Sequence, residues 1–374
     1  MQATVADLVR AMEAVAPLRH AASWDNVGLL LGDPAGPLRS VLLAIDLTAA
    51  VAEEACTRGV SAVVAYHPPI FRPRKSITAA DPQGRMLLSL ARAGIAVHSP
   101  HTALDAAPGG LAEWIVRGLG EGMLHPIEPA GDLPVEEAVK IVTMAPEDAV
   151  IALREAMARA GAGRIGEYDL CSFEIRGEGT FRGSDASNPT IGRRGVLERV
   201  AEARLEMVCG RSVLPAVLAA LRGAHPYEEP PIEVYGLEPR PRADAGAGRV
   251  LRLDRPVRLG ELVARAKRRL GVEQLLVAAP RGLDAPVHAI GACPGAGGEL
   301  FAAASALGAD AWLTGEMRHH DVLAAAESGC GVLLAGHTNT ERPFLPELAA
   351  RLRAALAGVP VTVSEADRWP LQVA

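Results

Sequence analysis

Imidazole and carboxylate side chains gather in five short segments of the sequence, each directly after an apolar run. These runs, each mostly apolar and expected to be a strand, lie at 41–45, 61–65, 95–98, 310–313 and 331–335. The polar residues that follow them are Asp46, Tyr66, His67, His101, Asp105, Glu316, His319, His320, Asp321, His337 and Glu341. Histidine and carboxylate together are ligands for zinc, iron or manganese. A pair of metal ions about 3.5–4 Å apart needs a bridging carboxylate. Asp105 and Glu341 are the candidates for that role.

Each of these residues also has an ordinary structural interpretation. His67 can be a loop histidine, His101 can hydrogen-bond a neighbouring loop, and Glu341 can be a carboxylate favoured by a helix N-terminus. His319 and His320 are adjacent in an expected helix, so their side chains point about 100° apart and do not easily face one metal. The convergence of five strand ends therefore favours a metal site more than any single residue does.

A glycine-rich turn at 294–299 joins an apolar run to an expected helix. Such a turn can present backbone N–H groups to an anion, or it can simply allow close packing. It lacks the lysine of a P-loop. Cys293 beside it has no evident histidine base, and the sequence has no Gly-x-Ser-x-Gly motif, so nucleophilic catalysis is not favoured.

The outer parts of the chain alternate short apolar runs with helical stretches. Thr4 and Asp7 predict a capping box, Thr48 a helix start, Gly59 a helix end, and Asp81 with Pro82 another helix start. Strand–helix alternation of this kind predicts an α/β fold with largely parallel sheets and helices on both faces. Ligands bind beyond the carboxyl ends of such strands, where the polar residues fall.

The middle of the chain follows a different order. Strands are expected at 140–144, 171–175, 179–181, 205–209 and 232–235, and helices at 146–160 and 214–222. This order approximates βαββαβ and predicts an inserted α+β ferredoxin-like domain. The predicted organisation is a first half of the outer metal-binding domain at 1–128, the insertion at 129–243, and the second half at 244–374.

Composition excludes several classes of protein. The 374 residues carry 38 Lys and Arg against 44 Asp and Glu, a net charge of −6, which makes a nucleic-acid partner unlikely. No apolar run is long enough for a membrane span. The five cysteines are scattered and odd in number, so we expect reduced thiols and a cytoplasmic protein.

The motifs of the outer segments resemble a known family, the dinuclear-metal, hexameric proteins related to NGG-interacting factor three, often labelled GTP cyclohydrolase I type 2 homologues. The matching stretches are SWDNVGL at 23–29, YHPPIF at 66–71, SPHT at 99–102, DAAPGG at 105–110, GG at 297–298, TGE at 314–316 and GH at 336–337 with Glu341. The middle segment resembles the extra domain of the long members through GEY at 166–168, CSF at 171–173, GTF at 179–181 and AHPYEE at 224–229.

The resemblance implies metal ligands at His67, Asp105, His337 and Glu341, two divalent ions per subunit (zinc, iron or manganese), and a homohexamer. The sequence departs from many bacterial members at Tyr66, where they carry a second histidine. A neutral phenol is a poorer ligand than imidazole. The second metal position is therefore expected to be weak, to take a different metal, or to be completed by His101 or water.

The resulting hypothesis is a metal-dependent hydrolase that acts on a nucleotide or related phosphorylated small molecule, because a metal lowers the pKa of bound water. Asp46, Glu316 and His320 are candidates to hold the ligands or to transfer protons. The competing hypothesis is a non-enzymatic scaffold that handles metal or regulates a partner. The name of a family is not a demonstrated reaction, so both stay open at this point.

Overall fold

The computed structural model describes residues 3–131, 138–238, 241–369 and 371, and its chain divides into two compact units. The first unit comprises Met1–Ala130 and Arg242–Ala374, and the second comprises Gly131–Pro241. The insertion expected at 129–243 differs from this division by two residues at each end. Whether the insertion folds independently stays a prediction.

Strands and helices alternate through most of the described residues. The strands are β1 (Gly28–Leu31), β2 (Val41–Ala44), β3 (Ala62–Ala65), β4 (Ala96–Ser99), β5 (Gly122–Gly131), β6 (Ala138–Pro146), β7 (Ser172–Phe181), β8 (Glu198–Gly210), β9 (Ile232–Gly236), β10 (Pro241–Arg258), β11 (Leu276–Ala278), β12 (Pro286–Cys293), β13 (Ala311–Thr314), β14 (Gly331–Leu334) and β15 (Val361–Val363). The helices are α1 (Val5–Val15), α2 (Ala49–Arg58), α3 (Pro82–Arg92), α4 (His101–Ala106), α5 (Leu111–Arg117), α6 (Val150–Arg159), α7 (Leu214–Ala224), α8 (Leu259–Leu270), α9 (Phe301–Ala306), α10 (His319–Glu327) and α11 (Leu345–Ala355). No described helix is both long and apolar enough to cross a membrane.

One sheet of the first unit has the strand order β1-β4-β3-β2-β15. Strands β15, β2, β3 and β4 are parallel, and β1 is antiparallel at the edge. Every residue of β2 and β3 is buried, as expected for parallel strands covered on both faces. Leu87 of α3 belongs to the buried cluster on one face, and Leu8 of α1 belongs to the cluster on the other.

The second sheet of this unit has the order β11-β14-β13-β12-β10-β5. Its strands β12, β13 and β14 are parallel, β10 is antiparallel to β12, and β11 is antiparallel to β14. Leu43 of the first sheet and Leu313 of the second belong to one buried cluster, together with Leu262 of α8. The two sheets therefore share a core, and the predicted α/β class with largely parallel sheets is confirmed.

The predicted capping residues mark where helices α1, α2 and α3 begin. The Asp7 carboxylate accepts a hydrogen bond from the Thr4 backbone N–H at 2.7 Å, the Thr48 hydroxyl accepts one from Val51 at 3.3 Å, and the Asp81 carboxylate accepts one from Gly84 at 2.8 Å. Such caps satisfy N–H groups that lack a partner within the helix. Gly59 ends α2 in the left-handed conformation, as expected.

The second unit is a four-stranded sheet with the order β7-β8-β6-β9, whose neighbouring strands are antiparallel. Leu153 of α6 and Val217 of α7 pack with Ile141 of β6 in one buried cluster. This βαββαβ arrangement confirms the ferredoxin-like prediction. The helix expected at 146–160 is shorter, because β6 continues to Pro146 and a 3-10 turn at Glu147–Ala149 precedes α6.

Candidate metal centre

Two histidines and one glutamate from distant parts of the sequence meet in the first unit. His67 follows β3, His337 follows β14, and Glu341 precedes a 3-10 helix at Arg342–Phe344. One ligand atom from each lies within 4.8 Å of the others. The Nε2 atoms of His67 and His337 lie 3.5 and 3.4 Å from Oε1 of Glu341. Three of the four predicted ligands therefore converge, one from the first sheet and two from the second.

Two further carboxylates orient the imidazoles. The Asp46 Oδ1 atom lies 2.9 Å from Nδ1 of His67, and the Glu316 Oε1 atom lies 2.9 Å from Nδ1 of His337. A carboxylate on one ring nitrogen leaves the other nitrogen to face a metal, which is the usual arrangement of metal-binding histidines. Asp46 and Glu316 thus take positions that the sequence hypothesis proposed, whereas His320 is exposed in α10 and its ring contacts His319.

The Glu341 carboxylate is the most deeply buried member of the group. Its side chain is 2% exposed, and its Oε2 atom is buried with no hydrogen-bond partner. A buried carboxylate oxygen without a partner is costly unless a cation or proton donor neutralises it. The donor set and this unpaired oxygen both fit a divalent cation.

Gly295, in the glycine-rich turn, leaves space at the same place. Its φ is +63°, and a Cβ atom there would lie 2.8 Å from Oε1 of Glu341 and 3.0 Å from Nε2 of His337. The backbone N–H groups of Gly295 and Gly297 donate to the hydroxyls of Thr340 and Thr314. Close packing beside Glu341 and His337 is therefore the role that the turn shows, since these two donors are already used.

Asp105, the fourth predicted ligand, lies outside this three-residue group. Its Oδ1 atom accepts a hydrogen bond of 2.6 Å from the phenol of Tyr66, which is buried. Burial raises the pKa of Asp105 to about 7, although the Tyr66 hydrogen bond acts in the opposite direction. Burial and the charges of Asp105 and Glu341 raise the pKa of Tyr66 well above its usual range, so the phenol stays neutral.

The pKa shifts of His67 and Cys293 reflect the negative charges around them. Burial lowers the pKa of His67, but hydrogen bonds to Asp46 and Glu341 outweigh it and raise the pKa to about 10. His67 is therefore protonated in the absence of metal, and a metal cation would compete with that proton for the electron pair of Nε2. Burial, followed by the charges of Asp105 and Glu341, raises the pKa of Cys293 far above its usual range. Cys293 remains a thiol, as expected for a residue without a base.

His101 contacts a neighbouring loop, one of the two interpretations that the sequence allowed. Its Nδ1 atom lies 2.8 Å from both carboxylate oxygens of Asp25. Its ring centroid is 5.3 Å from that of His67 and 5.5 Å from that of Tyr66.

Sequence reasoning missed one carboxylate close to the centre. Asp367 accepts a hydrogen bond of 2.7 Å from the backbone N–H of Ile45, next to Asp46, and pairs with Arg342, next to Glu341. It positions residues from both sequence halves. The 23–29 motif included Asp25 without a role, and no local signal identifies Asp367.

The chain is similar to known proteins over nearly its whole length. The chain is 34% identical over 378 residues to the GTP cyclohydrolase 1 type 2 homolog of Mycobacterium tuberculosis, covering 99% of this chain and 98% of that protein. It is also 34% identical to the NIF3-like protein 1 of Rattus norvegicus, covering 98% and 92%. A solved structure of a Bacillus cereus protein related to NIF3 aligns over both full chains with a TM-score of 0.68 and 29% identity. The family model Duf34/NIF3 (NGG1p interacting factor 3) matches residues 3–370, and the chain belongs to this family.

Proposed function

We propose that this chain is a metal-dependent hydrolase whose substrate is a nucleotide or a related phosphorylated compound. The observation that carries the proposal is the position of Glu341, whose Oε1 atom faces two histidine Nε2 atoms and whose buried Oε2 atom lacks a partner. The name of the mycobacterial relative, GTP cyclohydrolase 1 type 2 homolog, supports the nucleotide part of the proposal.

The residues of this chain have distinct tasks under the proposal. His67, His337 and Glu341 hold a divalent cation, which supplies Lewis acidity toward a substrate oxygen and acidifies water. Asp46 and Glu316 keep both imidazole rings turned so that Nε2 faces the centre. Asp105, held by Tyr66, is the nearby carboxyl group available for a second cation or for proton transfer.

A second ion per subunit and a homohexamer belong to the proposal as well, and the family resemblance supports them. Elemental analysis of the purified protein is expected to give between one and two equivalents of zinc, iron or manganese per chain, because Tyr66 replaces a histidine at the second position. Analytical ultracentrifugation is expected to give six times the mass of the chain. A monomer would contradict the assembly without affecting the metal site.

The metal site is tested by a pair of matched substitutions. Glu341→Gln keeps the shape of the side chain and removes its charge, so bound metal and hydrolysis of nucleotides are both expected to fall at least tenfold. Glu347→Gln is the control, because Glu347 lies on α11 and pairs with Arg351 at 2.9 Å on the surface. Full metal content in Glu341→Gln would remove Glu341 from the site. Metal-dependent stabilisation without turnover of any nucleotide in the wild type would favour a scaffold.

A further inference from the structure

Two large aromatic side chains stand exposed beside the candidate metal centre. Trp24 is 63% exposed and Phe71 is 50% exposed. Their ring centroids are 5.9 Å apart at an interplanar angle of 61°. Both also contact the His101 ring, at 6.1 and 6.4 Å. Exposed apolar groups in mutual contact commonly mark a binding surface, whereas isolated ones do not. We call Trp24 and Phe71 together the aromatic wall.

The loops that carry the aromatic wall are fixed. Asp25, next to Trp24, accepts hydrogen bonds from the hydroxyl of Thr102 at 2.5 Å and from its backbone N–H at 3.2 Å, and lies 2.8 Å from Nδ1 of His101. The side-chain amide of Asn26 donates to the carbonyl of Ile70, next to Phe71, at 2.5 Å. Hydrogen bonds of the residues next to Trp24 and Phe71 therefore keep the two rings in their exposed positions.

A row of rings connects the wall with the centre. The His101 ring lies 5.3 Å from the His67 ring, which lies 5.5 Å from the His337 ring. His101 itself has a φ of +26°, which is unusual for a residue with a side chain. Strained backbone of this kind persists where the surroundings impose it, and it is concentrated at functional sites.

The segment that contains Phe71 is positively charged. Residues 68–80 include Arg72, Arg74 and Lys75 and no Asp or Glu. Arg74 pairs with Asp81 at 2.5 Å, while Arg72 and Lys75 are exposed. An anionic ligand with a planar ring matches both the charge of this segment and the aromatic faces beside it.

We propose that the aromatic wall binds the planar base of an anionic nucleotide substrate. The reacting part of that substrate lies toward His67, His337 and Glu341. The inference rests on the proposed function and adds the residues that would hold the base of that substrate. Stacking on aromatic side chains suits such a ring, because every base has a π-face, and it adds to affinity without selecting one base.

The test compares two ligands that differ by the ring. Guanosine 5′-monophosphate and ribose 5-phosphate are titrated calorimetrically into the full-length protein as purified, and metal content is measured for each variant. Trp24→Leu and Phe71→Leu are each expected to weaken binding of the nucleotide about 10-fold or more, from the usual strength of base stacking. Binding of ribose 5-phosphate and metal content are expected to stay unchanged. Tyr168→Leu is the control, because Tyr168 is an even more exposed aromatic residue, and it lies in the other unit.

Three outcomes overturn the inference. In the first, the nucleotide binds both wall variants as tightly as it binds the wild type. In the second, the affinities for the nucleotide and for ribose 5-phosphate fall equally, which would indicate a structural role of the two rings. A change of oligomeric state in Trp24→Leu, measured by sedimentation, would make the wall an interface between copies of this chain. If the wild type hydrolyses no nucleotide but the wall variants still weaken nucleotide binding alone, the proposed function is contradicted and the aromatic wall remains a binding site.

Discussion

Gly295→Ala is a direct test of whether the space between Gly295, Glu341 and His337 is a metal site. The added Cβ atom would lie 2.8 Å from Oε1 of Glu341 and 3.0 Å from Nε2 of His337. To reach an ordinary contact of 3.4 Å, these atoms must move by about 0.6 and 0.4 Å. Binding geometries tolerate displacements of only about 0.5 Å. We therefore expect metal affinity to fall at least 10-fold, about 1.4 kcal/mol.

The substitution also strains the backbone, and this effect must be measured separately. Gly295 has a φ of +63°, a conformation that costs a residue with a Cβ about 1–2 kcal/mol. Gly271, which ends α8, has a φ of +65° with nothing within 4 Å of a built Cβ atom. Gly271→Ala therefore has nearly the same backbone strain without the contact to the ligands, and it serves as the matched control.

Two measurements separate the effects. Urea unfolding of the metal-free proteins is expected to show the cost of backbone strain in both alanine variants, and a further loss of stability in Gly295→Ala from the displacement of Glu341 and His337. Competition with a chromophoric zinc chelator is expected to show weaker metal binding in Gly295→Ala alone. Equal metal affinity in both variants and the wild type would refute the reasoning, because the space beside Glu341 and His337 would then hold no cation.

Three further results are expected. Arg249→Met should destabilise the protein by about 3 kcal/mol or more in urea unfolding, because the buried guanidinium donates to five backbone carbonyls. Arg10→Met is the control on the surface and should cost little. Equal losses of stability in the two variants would contradict a structural role of the buried guanidinium. Burial raises the pKa of Glu54, but hydrogen bonds from the C-terminal segment outweigh it and lower the pKa to about 2. The Glu54 carboxylate therefore stabilises the fold above the unfolded pKa near 4.3, and this stabilisation is lost as the pH falls toward 2. Glu54→Gln should make the free energy of unfolding less dependent on pH in that window. An unchanged dependence would contradict the lowered pKa of Glu54. Tyr66→Phe should change metal content modestly and Tyr66→His should tighten the second position in calorimetric titrations with zinc or manganese, whereas two equally tight sites in the wild type would exclude the expected weakness.

Local patterns were sufficient to predict the parallel strands β2, β3, β13 and β14 and the loops after them. The segments that became β2, β3, β13 and β14 are short, almost entirely apolar and followed by polar residues, and burial on both faces favours that composition. Helix caps such as Thr48 act through hydrogen bonds within three residues, so the sequence displays them directly.

Elements that depend on distant partners were not predicted. Strand β15 has three residues and gains its hydrogen bonds from β2, more than three hundred positions earlier in the chain. Strand β10 contains charged residues along its length, including Arg249, Arg252 and Asp254, so its pattern does not indicate a strand. Tertiary pairing decides such segments, and intrinsic preference does not.

The same distinction separates the two parts of the candidate centre. His67, His337 and Glu341 could be named from the sequence because each follows an expected strand and stands in a motif that resembles the family. Their mutual geometry depends on contacts between the sequence halves. Asp367 joins the end of β2 to Arg342.

Arg249 of β10 supplies another such contact, because it donates to the carbonyls of Ala106 and Ala107 at the end of α4, which carries Asp105. The position of Asp105 relative to the three converging residues is therefore set by a buried arginine about 140 residues away. A change at Arg249 that leaves the fold intact should alter the second metal position before the first, since His67 and Glu341 are held by Asp46 and by the Asp367–Arg342 pair instead.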